Sequence, residues 1–239
     1  MHFLKRMFAI VLAFVMLMSF GNTVFANDEA TVPEWLDSYG AEIFSKAKSY
    51  FNRSSFSGYC GTYVRCQLRA MGIFDDQFDF HGNGNQWYNG FINVEETSGG
   101  YDVYTEGGPR CIDKLVEKYG SDLRNIVVSF PVQAGYSASY PGAGHAFVIY
   151  ALVDGIAYYS ESFSFGSYRE CEVAAESIDN LMERYARRFG GVNGCVMFDN
   201  GYLESLYRES EEQRLEAALA ITIENMQSFT YLANEFINA

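Results

Sequence analysis

Hydrophobic and polar positions along the chain sort into helix-like and strand-like runs. Trp35, Leu36, Ile43, Phe44, Ala47 and Tyr50 form one face of a helix predicted over 33–51, with Thr31 as its cap and Pro33 in its first turn. A polar loop, 52–58, leads into a second helix that starts at or near Cys60. Its apolar face runs through Tyr63, Val64, Leu68 and Met71, and Gly72 supplies the stop. Residues 74–100 read as loop, with a short strand at 99–104. A helix is expected over 109–119, with Cys111, Ile112, Leu115 and Val116 on one face. Buried strands are expected at 125–131 and 146–153, a partner strand at 156–162, and a further strand at 170–176. Ser177 opens a helix to about 188, Gly190 and Gly191 stop it, and 195–198 is a last strand. Residues 202–237 form a long helix with a face through Leu203, Leu206, Leu215, Leu219, Ile223 and Met226. This helix is expected to pack on the domain with a solvated acidic outer side.

The first residues change the picture of the compartment. Lys5 and Arg6 precede an apolar run over 7–20, and Val24-Phe25-Ala26 follows small and polar residues. This is the pattern of a secretory signal peptide cleaved after Ala26, and the run is short for a membrane span. Loss of two cations and no acid takes the net charge from −13 to −15. So acidic a chain is unsuited to nucleic acid or to an anionic membrane surface, and the expected product is secreted, extracellular or wall-associated. Residues 27–239 suit one domain of ~200 residues. Within it, 27–56 reads as an N-terminal helix and linker, 57–200 as the main domain and 201–239 as the C-terminal helix.

Five cysteines, at 60, 66, 111, 171 and 195, leave at least one thiol unpaired. One free nucleophile with two disulfides, or five reduced thiols, both fit. No spacing suits zinc. Asp75, Asp76 and Asp79 do not form a calcium loop and read as a solvated turn. No cofactor and no metal are expected.

Cys60 is the candidate nucleophile, because the first turn of a helix favours a thiolate. Cys66 lies six residues on, a rotation of about 120°, and is expected to be structural. A cysteine nucleophile needs a base, and after the leader only His81 and His145 remain. His145 joins a Gly/Ser/Tyr-rich loop (133–144), whose Tyr-rich part 136–140 is a candidate glycan or peptide contact or a lid over the groove, to a buried strand, which combines access with rigid support. His81 sits in a loop and is the weaker choice. The base needs an orienting group, and Glu161 on the return strand is the candidate. A two-residue turn at Asp154-Gly155 pairs 153 with 156 and puts Ser160 and Ser162 on His145's side. A three-residue turn, Val153-Asp154-Gly155, pairs 152 with 156 and brings Glu161 to that side. The three-residue turn is predicted, since Gly155 stands where its bulge wants glycine.

Four motifs in this order, Cys-x-x-Tyr-Val (60–64), Gly-Asn-Gly-Asn-Gln-Trp (82–87), Gly-His-Ala-Phe-Val-Ile (144–149) and Tyr-Ser-Glu-Ser-Phe (159–163), resemble the CHAP family of cysteine, histidine-dependent amidohydrolases and peptidases. The resemblance covers about 57–165. It implies an α+β, papain-like cysteine peptidase fold, with N-terminal helices, the nucleophile helix packed on an antiparallel sheet, and here a C-terminal helical tail. It implies Cys60 as nucleophile, His145 as base and Glu161 as orienter. Tyr59, Trp87 and Ser162 would be groove residues, Trp87 packing beside it. Phe163 stands where family members often carry Asn, and 99–143 and the acidic tail lie outside the usual module. The implied activity is hydrolysis of amide or peptide bonds in bacterial peptidoglycan through an acyl-enzyme. A protein-cleaving thiol protease, an acyltransferase, or a catalytically silent binding module would use the same framework.

Overall fold

The computed structural model describes residues 31–53, 55–94, 100–132, 144–162 and 173–237, with side chains of the last helix described to 223 and at 226. All but Thr31 belong to one compact unit, Val32–Ala239. The predicted leader, Cys171, the loop at 133–143 and Phe163 lie outside the described residues.

The elements alternate as the hydrophobic pattern requires. They are α1 (Glu34–Ser49), α2 (Cys60–Ala70), a 3-10 turn (Gly84–Gln86) running into α3 (Trp87–Phe91), β1 (Asp102–Gly107), α4 (Cys111–Tyr119) and β2 (Leu123–Phe130). Then come β3 (His145–Val153), β4 (Ile156–Ser160), β5 (Ala174–Ser177), α5 (Ile178–Phe189), β6 (Gly194–Asp199) and α6 (Tyr202–Ile237). Pro33 rather than Thr31 stands at the N-cap of α1, and no side chain caps that helix. The short helix at 84–91 falls where a loop was expected. A run of five residues is too brief to show a 3.6-residue period against its flanking glycines.

The six strands form one antiparallel sheet in the order β1-β6-β2-β3-β4-β5. The fold is α+β, with six α-helices among the described residues. The central strands are buried on both faces, so β2, β3 and β6 read as nearly continuous apolar runs. One face packs on α1, α2 and α3 through Leu36, Ile43, Tyr63, Leu68, Trp87, Phe91, Val148 and Phe198. The other packs on α4 and α5 through Ile112, Leu115, Phe147, Ile149, Leu181 and Tyr185. A sheet covered on both sides excludes water from its middle. Polar groups there must therefore find partners within the protein.

The hairpin between β3 and β4 differs from the expected one, and the difference matters. Val153 pairs with Ile156, so the turn has two residues, not three. Asp154 and Gly155 both have positive φ, 48° and 78°, the type I′ geometry that Asp-Gly supplies. That turn alone would put Glu161 and His145 on opposite faces. The register instead shifts between Ile149 and Ala151: Ile149 pairs with Tyr159, and Ala151 with Tyr158. Tyr150 is the extra residue of a β-bulge. Tyr150 and its neighbour Ala151 both join the core on the α1–α2 side, while Phe147 and Ile149 face α5. Continued beyond Val148↔Ser160, the register sets Phe147 opposite Glu161. The expected side for Glu161 is thus reached by another device.

The last helix departs from expectation more plainly. Leu203 and Leu206 are partly covered, but residues 207–223 are exposed on every side, including Leu215, Leu219 and Ile223. Among its described side chains, only those of the first turns pack on the domain.

Replacing Gly155 by valine adds a β-branched side chain at φ 78° with open space around it. The cost is therefore backbone strain of roughly 1–2 kcal/mol. Urea unfolding should show that loss for Gly155→Val and much less for Gly155→Asn.

Candidate active site

Cys60 begins α2, and Tyr59 occupies the cap position with no side-chain cap on the helix. The first N–H groups of α2 therefore lack acceptors within the helix, and its positive end lies at the sulfur. Cys60 is partly exposed, whereas Cys66, Cys111 and Cys195 are buried, and all four thiols are free. Burial pushes the Cys66 thiol up despite Arg65 and Arg69 nearby. It pushes Cys195 up further, with Cys111 beside it adding to the shift. The expectation of a structural Cys66 fits its place in the core. Of the four described thiols, only Cys60 combines access with an environment that favours the anion.

His145 opens β3 and is 1% exposed. Its Nε2 lies 2.9 Å from Oε2 of Glu161. That bond leaves Nδ1 as the ring nitrogen for Cys60, whose sulfur shares a hydrogen bond with the imidazole. The Cys60 thiol also lies 3.6 Å from the Gly144 carbonyl. Burial alone would raise the Cys60 pKa. The hydrogen bond and charge of His145, with backbone N–H groups of Ala146 and Gly61, outweigh it and hold the thiol below its ordinary value. Burial likewise works against a charged His145, but Cys60 and Glu161 raise its pKa to about 9. Burial also works against the Glu161 carboxylate, and His145, Tyr185 and Arg184 together hold its pKa down. The favoured state is a thiolate–imidazolium–carboxylate row, each charge next to its opposite.

Helix α5 completes the setting with residues that no sequence motif marks. The Tyr185 hydroxyl donates to Oε2 of Glu161. The Tyr185 and Phe189 rings stack on the imidazole, with centroids 5.2 and 5.5 Å away and planes within 15° and 9°. Aromatic faces favour an adjacent cation. The signal was present as an aromatic pair at i, i+4, but nothing in one sequence assigns that pair to a histidine forty residues upstream. Arg184 bridges to Tyr159 (3.0 Å) and Glu176 (2.6 Å), which adds positive charge behind Glu161.

The Gly-Asn-Gly-Asn-Gln-Trp segment supports this row by close backbone approach. A Cβ on Gly84 would lie 2.6–2.8 Å from the His145 backbone and the Gly144 carbonyl, and one on Gly61 would lie 2.3 Å from the Gly82 carbonyl. Ser129 Oγ donates to the Gly84 carbonyl at 2.7 Å. The motif is a wedge holding the starts of α2 and β3 together.

Two groove candidates are placed elsewhere. Trp87 is fully buried, stacked with Phe74 and Phe91 and edge-on to Phe80, so it is core. Its apolar bulk fills the space between α3 and the sheet, and no face of it remains for substrate. Ser162 is buried, and its Oγ donates to the Phe56 carbonyl, tying the end of β4 to the loop before Cys60. Tyr59 remains at the surface, 37% exposed, under the Arg53 guanidinium. His81 is exposed and 3.5 Å from Asp79. Asp79 also holds Arg65 and Arg69, and Asp75 caps the local turn through Gln77 and Phe78 N–H. These aspartates thus have internal partners.

Glu161→Gln removes the carboxylate that stabilises the imidazolium. The curve of Cys60 alkylation rate against pH should move to higher pH, and the alkaline limb of any activity should move to lower pH. Iodoacetamide kinetics read by peptide mass spectrometry test this; an unmoved curve would exclude Glu161 as the orienter. Comparison of the chain with protein-family models, with curated proteins and with solved structures finds no match.

Proposed function

We propose that this protein is a secreted cysteine hydrolase of CHAP-like, papain-like type that cleaves amide or peptide bonds in bacterial peptidoglycan. The observation that carries the reading is the largely buried His145–Glu161 hydrogen bond, with Cys60 on the other side of the same imidazole. The nucleophile helix packed on an antiparallel sheet and the order of the four motifs support it. The leader-like residues 1–26 support export.

In this reading the Cys60 thiolate attacks the carbonyl carbon of the scissile amide. The oxygen takes the negative charge and is met by backbone N–H at the start of α2. His145 passes its proton to the leaving nitrogen as the C–N bond breaks, which leaves a thioester on Cys60. Water then gives a proton to His145 as its oxygen attacks the thioester, and the C–S bond breaks to release the acid and restore the thiolate–imidazolium pair. Glu161 stays ionised and holds the ring, while Tyr185 holds Glu161.

The sign of the pH dependence follows. Chemistry needs Cys60 deprotonated and His145 protonated, so the rate rises as pH passes the lowered thiol pKa. It falls again near pH 9, as His145 gives up its proton. Purified wall fragments digested with the protein should yield new amino and carboxyl termini by mass spectrometry. Cys60→Ala, which keeps the His145–Glu161 pair, should abolish them while melting close to the parent; His145→Ala should abolish them and melt lower, because it leaves the Glu161 carboxylate without its partner. New reducing ends instead of new amines, or undiminished turnover by Cys60→Ala, would overturn the reading.

A further inference from the structure

We infer that the cleft at the opposite end of β3 from Cys60 binds a short saccharide that carries a carboxylate. The cleft has a volume of about 590 Å3 and is walled by Trp35 and Tyr39 of α1, Tyr101, Arg124, Asn200, and Tyr202 at the start of α6. That volume lies in the range of small-molecule sites and accommodates a disaccharide. Tyr150 and Ala151 of β3 reach it as well. Ala151 lies six residues along the strand from His145, about 20 Å at strand spacing. The cleft is therefore separate from the cysteine site.

Its chemistry is specific in three respects. First, ring faces line it where a core would have covered them: Trp35 is 58% exposed, although Leu36, Ile43 and Ala47 of the same helix are buried. Aromatic faces stack on the C–H faces of sugar rings, with hydroxyls and amides at the rim to meet sugar hydroxyls. Tyr39, Tyr101 and Asn200 supply those groups, and the Tyr101 hydroxyl already bonds with Asn200. Second, the Arg124 guanidinium lies 4.0 Å from the Tyr202 ring centroid and 6.0 Å from that of Trp35. Stacking fixes the plane of the guanidinium, and a fixed planar fork suits a carboxylate.

Third, Arg124 is in no ion pair among the described residues, in a chain with 30 acids and 17 lysines and arginines. Asp122 and Arg124 both hydrogen-bond the Tyr202 hydroxyl, but Asp122 is not ion-paired with Arg124 and does not line the cleft. A cation left without a carboxylate in so acidic a protein, held flat among aromatic rings, fits an anionic ligand better than a neutral one. The overall negative charge works against polyanions such as nucleic acid.

The site is independent of the hydrolase reading; only the choice of one probe draws on it. Full-length Cys60→Ala protein is titrated calorimetrically with the disaccharide of N-acetylglucosamine and N-acetylmuramic acid, with digalacturonate, and with neutral chitobiose. At least one acidic disaccharide should bind saturably. Its affinity should fall at least about tenfold in Arg124→Gln and in Trp35→Ala, and chitobiose should bind correspondingly more weakly. Digalacturonate binding alone would support the site while detaching it from the cell wall. Absence of saturable binding by both acidic sugars, equal affinity for chitobiose, or unchanged affinity in variants that melt like the parent would overturn it. Arg124→Gln should leave the alkylation rate of Cys60 in the active-site parent unchanged.

Discussion

Glu161 and His145 share one hydrogen bond at a largely buried corner of the sheet, and the rest of the site depends on it. A buried carboxylate without a partner is costly, and a buried imidazolium no less so. Side by side, with Cys60 on the far nitrogen and Tyr185 on the carboxylate, each charge offsets the burial cost of the next. Removal of any one member leaves another uncompensated. The row is therefore both the source of the thiol's acidity and a constraint on the fold. β3, β4, α2 and α5 must meet at one corner, or the sequence has placed a glutamate in its core for nothing.

That meeting is produced by a local irregularity. A two-residue Asp154-Gly155 turn gives the tightest hairpin but the wrong face for Glu161, and one extra residue at Tyr150 corrects it. Much of this fold was legible because buried strands such as 146–153 are continuous apolar runs and the amphipathic α5 has a strong helical period. The pairing of Cys60, His145 and Glu161 was legible for a simpler reason, the scarcity of histidines and the oddness of a glutamate in an apolar strand. The bulge was not legible. Tyr150 and Ala151 are both apolar, and in a strand buried on both faces the hydrophobic pattern does not say which residue is supernumerary. The same two-sided burial hid Trp87, whose ring serves the core instead of a groove. It also hid Tyr185, whose partner is distant in sequence.

The glycine-rich 82–87 segment shows how a motif can matter without touching substrate. Gly84 lies against the His145 backbone and Gly61 against the Gly82 carbonyl, at separations no Cβ would allow. The nucleophile and the base come from helix and sheet respectively, and this wedge fixes the distance between them. At the other end of β3, α1 and the first turn of α6 leave aromatic rings and one arginine around a cleft. The long sheet strand thus separates two regions of different chemistry: a closed, charge-balanced corner and an open, ring-lined one.

Nitrogen NMR of the His145 ring reads the thiolate–imidazolium pair at its source. In 15N-labelled protein at neutral pH, both ring nitrogens of His145 should carry protons and titrate near pH 9. In Cys60→Ala, which removes the thiolate and keeps Glu161, the titration should move to lower pH. A neutral His145 ring at neutral pH in the parent, or a titration indifferent to Cys60, would rule the ion pair out.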